Sequence, residues 1–235
     1  MTEGRRRLGL LIPSSNTVME VDFYRNLPED VTLHTARMYM EDTTPEGEAQ
    51  MLDEHAMPAA RDVGTARPDV TVFGCTSAGA LRGTAYDRDL CIRIGQVTGS
   101  VAVSVIASVR EAIRRRGARR IGIVTPYVDA LNKEIRRSIE DDGQIEVAGI
   151  YGLQITENFA IASVTPAEIV DFAVRSLGKL DVQLAFASCT NFRAMGSIPD
   201  MEEALGVPVV TSNQAALEAA LAALAAAGVA DVAGG

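Results

Sequence analysis

Cys75 in Phe73-Gly74-Cys75-Thr76-Ser77 and Cys189 in Ala187-Ser188-Cys189-Thr190-Asn191 each end an apolar run with a thiol, a threonine and a small polar residue. A thiol has an ordinary pKa of about 8.5, lowered by helix N-termini or cations. It can remove or return a proton near neutral pH, or attack carbon as a thiolate. A single cysteine after a strand reads more readily as a small buried hydrophobe. Two delivered in the same way from two parts of one chain predict a paired acid/base site. Cys91, in Asp89-Leu90-Cys91-Ile92, has instead the pattern of helix-core packing.

Candidate binding groups surround these thiols in the sequence. Thr76, Ser77, Thr190 and Asn191 follow them where helices are expected to start, so their hydroxyl and backbone N–H groups are placed to hold a carboxylate. Pro13-Ser14-Ser15-Asn16-Thr17 follows the first apolar run directly. Ser14 and Asn16 there offer donors to an anion without adding a titrating charge; capping the next helix explains each alone equally well. The matching place in the second half holds Thr125-Pro126-Tyr127, with a phenol that can donate to a carboxylate. Asn158 is a further candidate. His34 and His55 are the only histidines, and neither has metal-ligand spacing to Cys, Asp or Glu. Phosphate-loop, dinucleotide and nucleophile-elbow motifs are missing. The expectation is chemistry with no metal and no cofactor.

The elements that must position these residues alternate along the chain. Strands are expected at Leu8–Ile12, Thr32–Met38, Val70–Phe73, Val101–Ser104, Ile121–Thr125, Ile145–Tyr151, Val182–Phe186 and Pro208–Val210. Helical patterns fall between them, including Pro45–Ala66, Val105–Arg116, Tyr127–Asp141 and Pro166–Leu177. This alternation predicts an α/β fold of βαβ units with parallel sheets, whose ligands bind beyond the strands' C-terminal ends. Leu8-Gly9-Leu10-Leu11-Ile12-Pro13 also parallels Ile121-Gly122-Ile123-Val124-Thr125-Pro126. Cys75 follows Gly9 by 66 positions and Cys189 follows Gly122 by 67. Two pseudo-symmetric Rossmann-like, doubly wound halves are therefore expected, 1–117 carrying Cys75 and 118–235 carrying Cys189. The thiols would face each other across the cleft between them, with the C-terminal helix free to cross over to the first half.

At 235 residues and 47% apolar composition, the chain is long enough for two such cores. Its net charge of −9 argues against nucleic acid as a partner. The local clusters Arg114–Arg116 and Arg119-Arg120 sit where a helix ends and a strand begins, a place that favours cations. No secretory signal or membrane span is expected: the apolar stretch after Arg7 is short, and the Ala-rich stretch near 215–230 contains Glu218, with Leu217, Leu221 and Leu224 on one stripe. Three cysteines without a disulfide-scaffold pattern suit a reducing cytoplasm.

Taken together, Gly9–Thr17, Gly74–Ser77, Thr125–Tyr127, Asn158, Ser188–Thr190 and Gly206–Asn213 resemble the aspartate/glutamate racemase superfamily. The resemblance is closest to its maleate cis–trans isomerase and arylmalonate decarboxylase branch. It spans nearly the whole chain and implies two Rossmann-like domains, an active site between them and no cofactor. By the same resemblance, Cys75 is the nucleophile or first acid/base and Cys189 the opposing acid/base, while Asn16, Tyr127 and Asn158 bind substrate carboxylates. Arylmalonate decarboxylases resemble this chain but keep only the second cysteine, with glycine at the position of Cys75. Both thiols together therefore imply an isomerase of a small carboxylate or dicarboxylate, similar to maleate isomerase, and a homodimer or higher homo-oligomer. The segment Thr76–Gly83 departs from the apolar stretch usual after the first cysteine of maleate isomerases. Cys189–Arg193 is more polar too, and resembles members linked to ectoine utilisation. Three alternatives stand beside the isomerase: a racemase of an amino or hydroxy acid, an arylmalonate-type decarboxylase, and a non-catalytic small-carboxylate binding protein. Arg82 and Arg193, at matching places downstream of the thiols, read as solvated arginines rather than carboxylate readers.

Overall fold

The computed structural model describes residues 5–233. The first half runs β1 (Arg6–Pro13), α1 (Met19–Asn26), β2 (Val31–Met38), α2 (Pro45–Gln50), α3 (Ala56–Gly64), β3 (Val70–Phe73), α4 (Thr76–Leu81), α5 (Thr84–Thr98), β4 (Val101–Ser104) and α6 (Val105–Arg115). The second runs β5 (Arg120–Thr125), α7 (Asp129–Glu140), β6 (Glu146–Gly152), α8 (Asn158–Ile161), α9 (Pro166–Leu177), β7 (Leu184–Ala187), α10 (Ile198–Leu205), β8 (Val209–Thr211) and α11 (Ser212–Ala233). Their sheets have orders β2-β1-β3-β4 and β6-β5-β7-β8, and every pairing is parallel. The expected α/β architecture is present, and the strand order is the same in both halves.

The apolar runs become central strands because both of their faces are covered. Leu8, Leu10, Ile12, Val70 and Val72 join Ile121, Ile123, Leu184 and Phe186 in one core that is continuous between the sheets. Leu11, Phe73 and Cys75 point to the opposite face of the first sheet, with Met51, Ala60 and Ile94. Period-two alternation along β1 thus decides which side chains meet the second half. Helix starts follow local chemistry. Thr165 and Glu168 form a capping box ahead of α9, and Ser104 accepts from Ala107 N–H at the start of α6. From β8 the chain enters α11, which lies against α1, β3, β4 and α6 of the first half. Leu217 and Leu224 are buried along it.

Most element ends shift by one or two residues from their expected bounds, and two departures affect local structure. The helical pattern over Pro45–Ala66 is broken by a π-helical turn at Met51–His55. The wider turn rephases the helix, so that Glu48 before it, Met51 and Leu52 within it and Ala56, Ala59, Ala60 and Val63 after it are all buried. Strand β7 begins at Leu184 rather than Val182, while the Gln183 side-chain oxygen accepts from the N–H groups of Arg119 and Arg120.

Candidate active site

Both thiols sit one residue beyond the last rung of a central strand. Gly74 N–H donates to Leu11 O at 2.7 Å, and Ser188 N–H donates to Val124 O at 2.9 Å. These are equivalent bonds, because Leu11 pairs with Phe73 as Val124 pairs with Ala187. Gly74 is required sterically: a Cβ there would lie 2.7 Å from both Leu11 O and Ile12 Cγ2. Past this point the halves diverge. Cys75 has ordinary extended geometry (φ −139°) and caps α4. Cys189 has φ +112°, a left-handed conformation that costs a β-carbon-bearing residue about 1–3 kcal/mol and that surrounding bonds must hold. Here its N–H donates to Ser212 Oγ (3.1 Å), and its Sγ accepts from Asn191 N–H (3.3 Å).

The two sulfurs belong to one buried cluster. Cys75 is 4% exposed, Cys189 6% and Tyr127 1%. The Tyr127 hydroxyl lies near Cys189 and Ser77, and both thiols act on its ionisation electrostatically. Ser77 Oγ lies 3.9 Å from Cys75 Sγ. Burial pushes the Cys189 thiol up to about 12, against the pull of Tyr127 and of the Asn191 and Phe192 N–H groups. Burial and then the neighbouring Glu48 push the Cys75 thiol well above its ordinary range, with the Ala78 N–H and Ser77 opposing them. Burial thus favours the protonated thiol at both sulfurs.

The remaining polar candidates knit the two halves together. Asn16 Oδ1 accepts from Val18 and Met19 N–H, which is a helix cap, while its Nδ2 donates to Thr190 Oγ1 across the cleft (3.1 Å). Thr190 Oγ1 donates in turn to Gly74 O. Thr76 Oγ1 donates to Ser212 Oγ, the group that also receives Cys189 N–H. Asn191 Oδ1 accepts from Thr17 N–H, and its Nδ2 donates to Asn158 O (2.6 Å). Asn158 Nδ2 donates to Ser15 Oγ, and its Oδ1 accepts from Thr43 Oγ1. Ser14 faces the following segment, its Oγ accepting from Met40 N–H. That segment is closed onto the second half by Thr43 N–H to Thr156 O (2.6 Å) and Asn158 N–H to Glu41 O (3.0 Å). The structure thus brings Cys75, Ser77, Tyr127 and Cys189 into direct proximity. Asn16, Asn158, Thr190 and Asn191 form the wall around them, and Ser14 and Thr76 support it.

Sequence reasoning missed Glu48. It lies on α2, is wholly buried, and its Oε1 accepts a short hydrogen bond from Ser77 Oγ. Burial pushes its carboxyl up to about 8, with the Ser77 bond opposing. Its register was a legible signal, since it stands four residues before Leu52 on the stripe that α2 buries. A polar N-terminal turn, Pro45-Glu46-Gly47-Glu48, hid it.

Other features flagged in the sequence fall elsewhere. Arg82 is paired with Asp53 through two 2.6 Å contacts and stacks on Tyr86. Arg193 is exposed. Cys91 is on α5, as a helical residue, but at its half-buried side rather than in the core. Arg114, Arg115, Arg116 and Arg120 are each paired with a carboxylate. A cavity of about 630 Å3 opens between Arg114, Arg119 and Glu146, at the N-terminal ends of β5 and β6 and away from the thiols. Among the described residues no cluster of His, Cys, Asp and Glu could hold a metal ion, and no helix is long and apolar enough to cross a membrane.

Comparison with known proteins places this site among relatives. The sequence profile of the arylmalonate decarboxylase family matches residues 8–235. The chain is 30% identical over 231 residues to a maleate isomerase of Pseudomonas putida, covering 93% of this chain and 91% of that protein. It is 28% identical over 209 residues to the arylmalonate decarboxylase of Bordetella bronchiseptica, covering 88% and 86%. A maleate isomerase of Pseudomonas putida S16 solved with maleate superposes with a TM-score of 0.86 at 28% identity, covering 93% of this chain and 92% of that one.

Proposed function

Because the chain belongs to the arylmalonate decarboxylase family, we propose that it is a cofactor-independent isomerase of a small carboxylic acid, of the maleate cis–trans isomerase kind, working through Cys75 and Cys189. The observation that carries this reading is the pair of thiols at equivalent strand ends, joined through one buried phenol. A decarboxylase needs to protonate only one face of its carbanion; a thiol on each wall serves a reaction that uses both. Residues 1–117 and 118–235 are the two units of this design, with α11 as the crossover helix. A cytoplasmic homo-oligomer is the proposed form of the enzyme.

The chemistry follows from the arrangement. Cys75 passes its proton to a carboxylate of the bound substrate, from which the thiolate recovers it when product leaves, and adds through sulfur to one alkene carbon; the π pair moves to the neighbouring carbon, where the adjacent carboxyl group stabilises it. Cys189 gives its proton to that carbon. Rotation about the new single bond follows. Cys189 then takes a proton back from the same carbon, the double bond re-forms, and the C–S bond breaks to release the Cys75 thiolate. Tyr127 and the N–H groups of Asn191 and Phe192 stabilise the Cys189 thiolate formed midway, donors fixed before the reaction begins. Asn16, Asn158, Ser14, Thr76, Ser77, Thr190 and Asn191 supply neutral donors for the carboxylates, exchanging bonds they now make with one another. Racemisation of an amino or hydroxy acid is the second reading, favoured by the polar Thr76-Ser77 and Thr190-Asn191 pairs. There one thiolate removes the α-proton and the opposite thiol delivers its own to the other face.

The test is NMR of maleate, other diacids and single enantiomers of amino and hydroxy acids incubated with the protein in deuterated water. Turnover is expected for at least one. Loss by on the order of 1,000-fold or more is expected in both Cys75→Ala and Cys189→Ala. Equal activity in these two and in Cys91→Ala would overturn the two-thiol mechanism. Carbon dioxide release that survives Cys75→Ala but not Cys189→Ala would establish the decarboxylase instead.

A further inference from the structure

We infer that Glu48 is the specificity residue of this cleft, and that it selects a carboxylic acid that also carries an ammonium group beside the reacting carbon. The inference rests on the cleft between Cys75 and Cys189 being the active site. Glu48 enters that cleft from α2, a helix whose entry is fixed by Thr44 as cap, with Thr44 Oγ1 accepting from Gly47 N–H. Gly47 itself must be glycine, because a Cβ there would lie 2.4 Å from Asp42 O. The approach of the helix to the preceding loop is therefore tight, and Glu48 is wholly buried.

Only one of its two oxygens has a partner. Oε1 receives Ser77 Oγ, which lies next to Cys75, whereas Oε2 is buried with no hydrogen bond. Such an oxygen costs about 1–3 kcal/mol of desolvation, more when charged, unless something donates to it. No basic residue does so. Arg82, on the neighbouring α4, is committed to Asp53 and Tyr86, and Glu48 pairs with no lysine or arginine among the described residues. The carboxyl also acts on both thiols electrostatically, and through Ser77 it stands one side chain away from Cys75.

The charge balance then identifies the ligand. The donors around the thiols (Tyr127, Asn16, Asn158 and the hydroxyls) are neutral and suit one carboxylate. A second carboxylate could sit beside Glu48 only while Glu48 keeps the proton that burial favours, and would gain no ion pair there. An ammonium instead supplies the missing donor to Oε2 and forms a charge-assisted pair in a site that excludes water. Through Ser77, that pair lies beside Cys75, which places the amine next to the carbon on which the thiol acts. The ammonium-bearing acid also gives the racemase reading its substrate class.

The test measures binding at pH 7, by calorimetry and ligand-observed NMR, for the pairs aspartate with succinate and 2-aminobutyrate with butyrate, and for maleate. The wild-type protein is expected to prefer an aminated member over its des-amino partner by on the order of 100-fold. Glu48→Gln is expected to erase that preference and to leave binding of maleate within about 3-fold of wild type. Wild-type protein that binds the partners equally would overturn the inference, and this measurement does not depend on the variant folding. A preference that persists in Glu48→Gln, or equal weakening of both members, would also overturn it and would make Glu48 a support of the thiols. Turnover of maleate with no preference for an amine would defeat this inference and leave the isomerase standing. A preference for the amine with no turnover of any acid would do the reverse.

Discussion

The loops that deliver Cys75 and Cys189 begin from the same construction and finish with unequal electrostatics, although both thiols are pushed up. Each follows a four-residue central strand and is pinned by an N–H donated to the neighbouring strand, from Gly74 in one and Ser188 in the other. In the first half the thiol takes relaxed backbone geometry at the start of α4 and has a buried acid, Glu48, for company. In the second the thiol is held at positive φ and is met by three donors, from Tyr127, Asn191 and Phe192. The shared frame is therefore differentiated by the groups packed around each thiol. The second half stabilises negative charge on its own sulfur, while the first sets a carboxyl against its sulfur and leaves one oxygen of it for something else. Cys189 is accordingly the easier thiol to ionise in the free protein, and Cys75 the one that depends on what Glu48 is doing.

Tyr127→Phe tests the donor side of this contrast most severely. Turnover is expected to fall on the order of 100-fold, as for loss of one fixed donor to a developing anion. Alkylation by iodoacetamide should slow more at Cys189 than at Cys75, because the lost bond stabilises the Cys189 thiolate. A larger slowing at Cys75 than at Cys189 in this variant would break the comparison.

The acid side shows in the pH dependence of folding. The carboxyl of Glu48 is raised to about 8 in the folded protein from the ordinary value of 4.5. Between those values the folded state holds a proton that the unfolded state has lost, so this residue's contribution to stability falls as pH rises from about 4.5 to about 8. Thermal melts are expected to show that Glu48→Gln loses less stability over this window than wild type, by up to a few kcal/mol. Asp87, raised to about 6 by burial, contributes a smaller decline to both proteins and cancels in their difference. Parallel pH profiles would mean that Glu48 is ionised without penalty.

The mildest contrast compares equivalent positions. Gly74→Ala is expected to cost about 1–3 kcal/mol in denaturant unfolding, since the new methyl meets Leu11 O and the Ile12 side chain. Ser188→Ala, at the matching place, should change stability by no more than about 0.5 kcal/mol, because its buried hydroxyl has no partner to lose. Equal costs at both sites would show that the strand-end frames are less alike than their shared register indicates.

Much of this organisation was readable in the chain. Apolar runs of four to eight residues alternating with helical patterns required covered parallel sheets. The repeated spacing from Gly9 to Cys75 and from Gly122 to Cys189 put the thiols at matching strand ends, and the β1–β3 and β5–β7 registers reproduce that correspondence. Residue type alone also made Tyr127, Asn16 and Asn158 plausible donors. It gave no means to tell capping from binding at Asn16, which spends one end of its amide on each of two protein partners.

Fold class, the internal repeat and the two thiols were legible in consecutive residues, because periodicity and strand-end chemistry are local properties. The thiols' protonation, their unequal surroundings and the place of Glu48 emerge with the packing. Those depend on burial and on partners far apart in the chain: Ser77 and Glu48 are separated by 29 positions and Asn16 and Thr190 by 174. A π-helical turn that keeps α2 and α3 facing inward together is what turns an ordinary helix glutamate into a buried one.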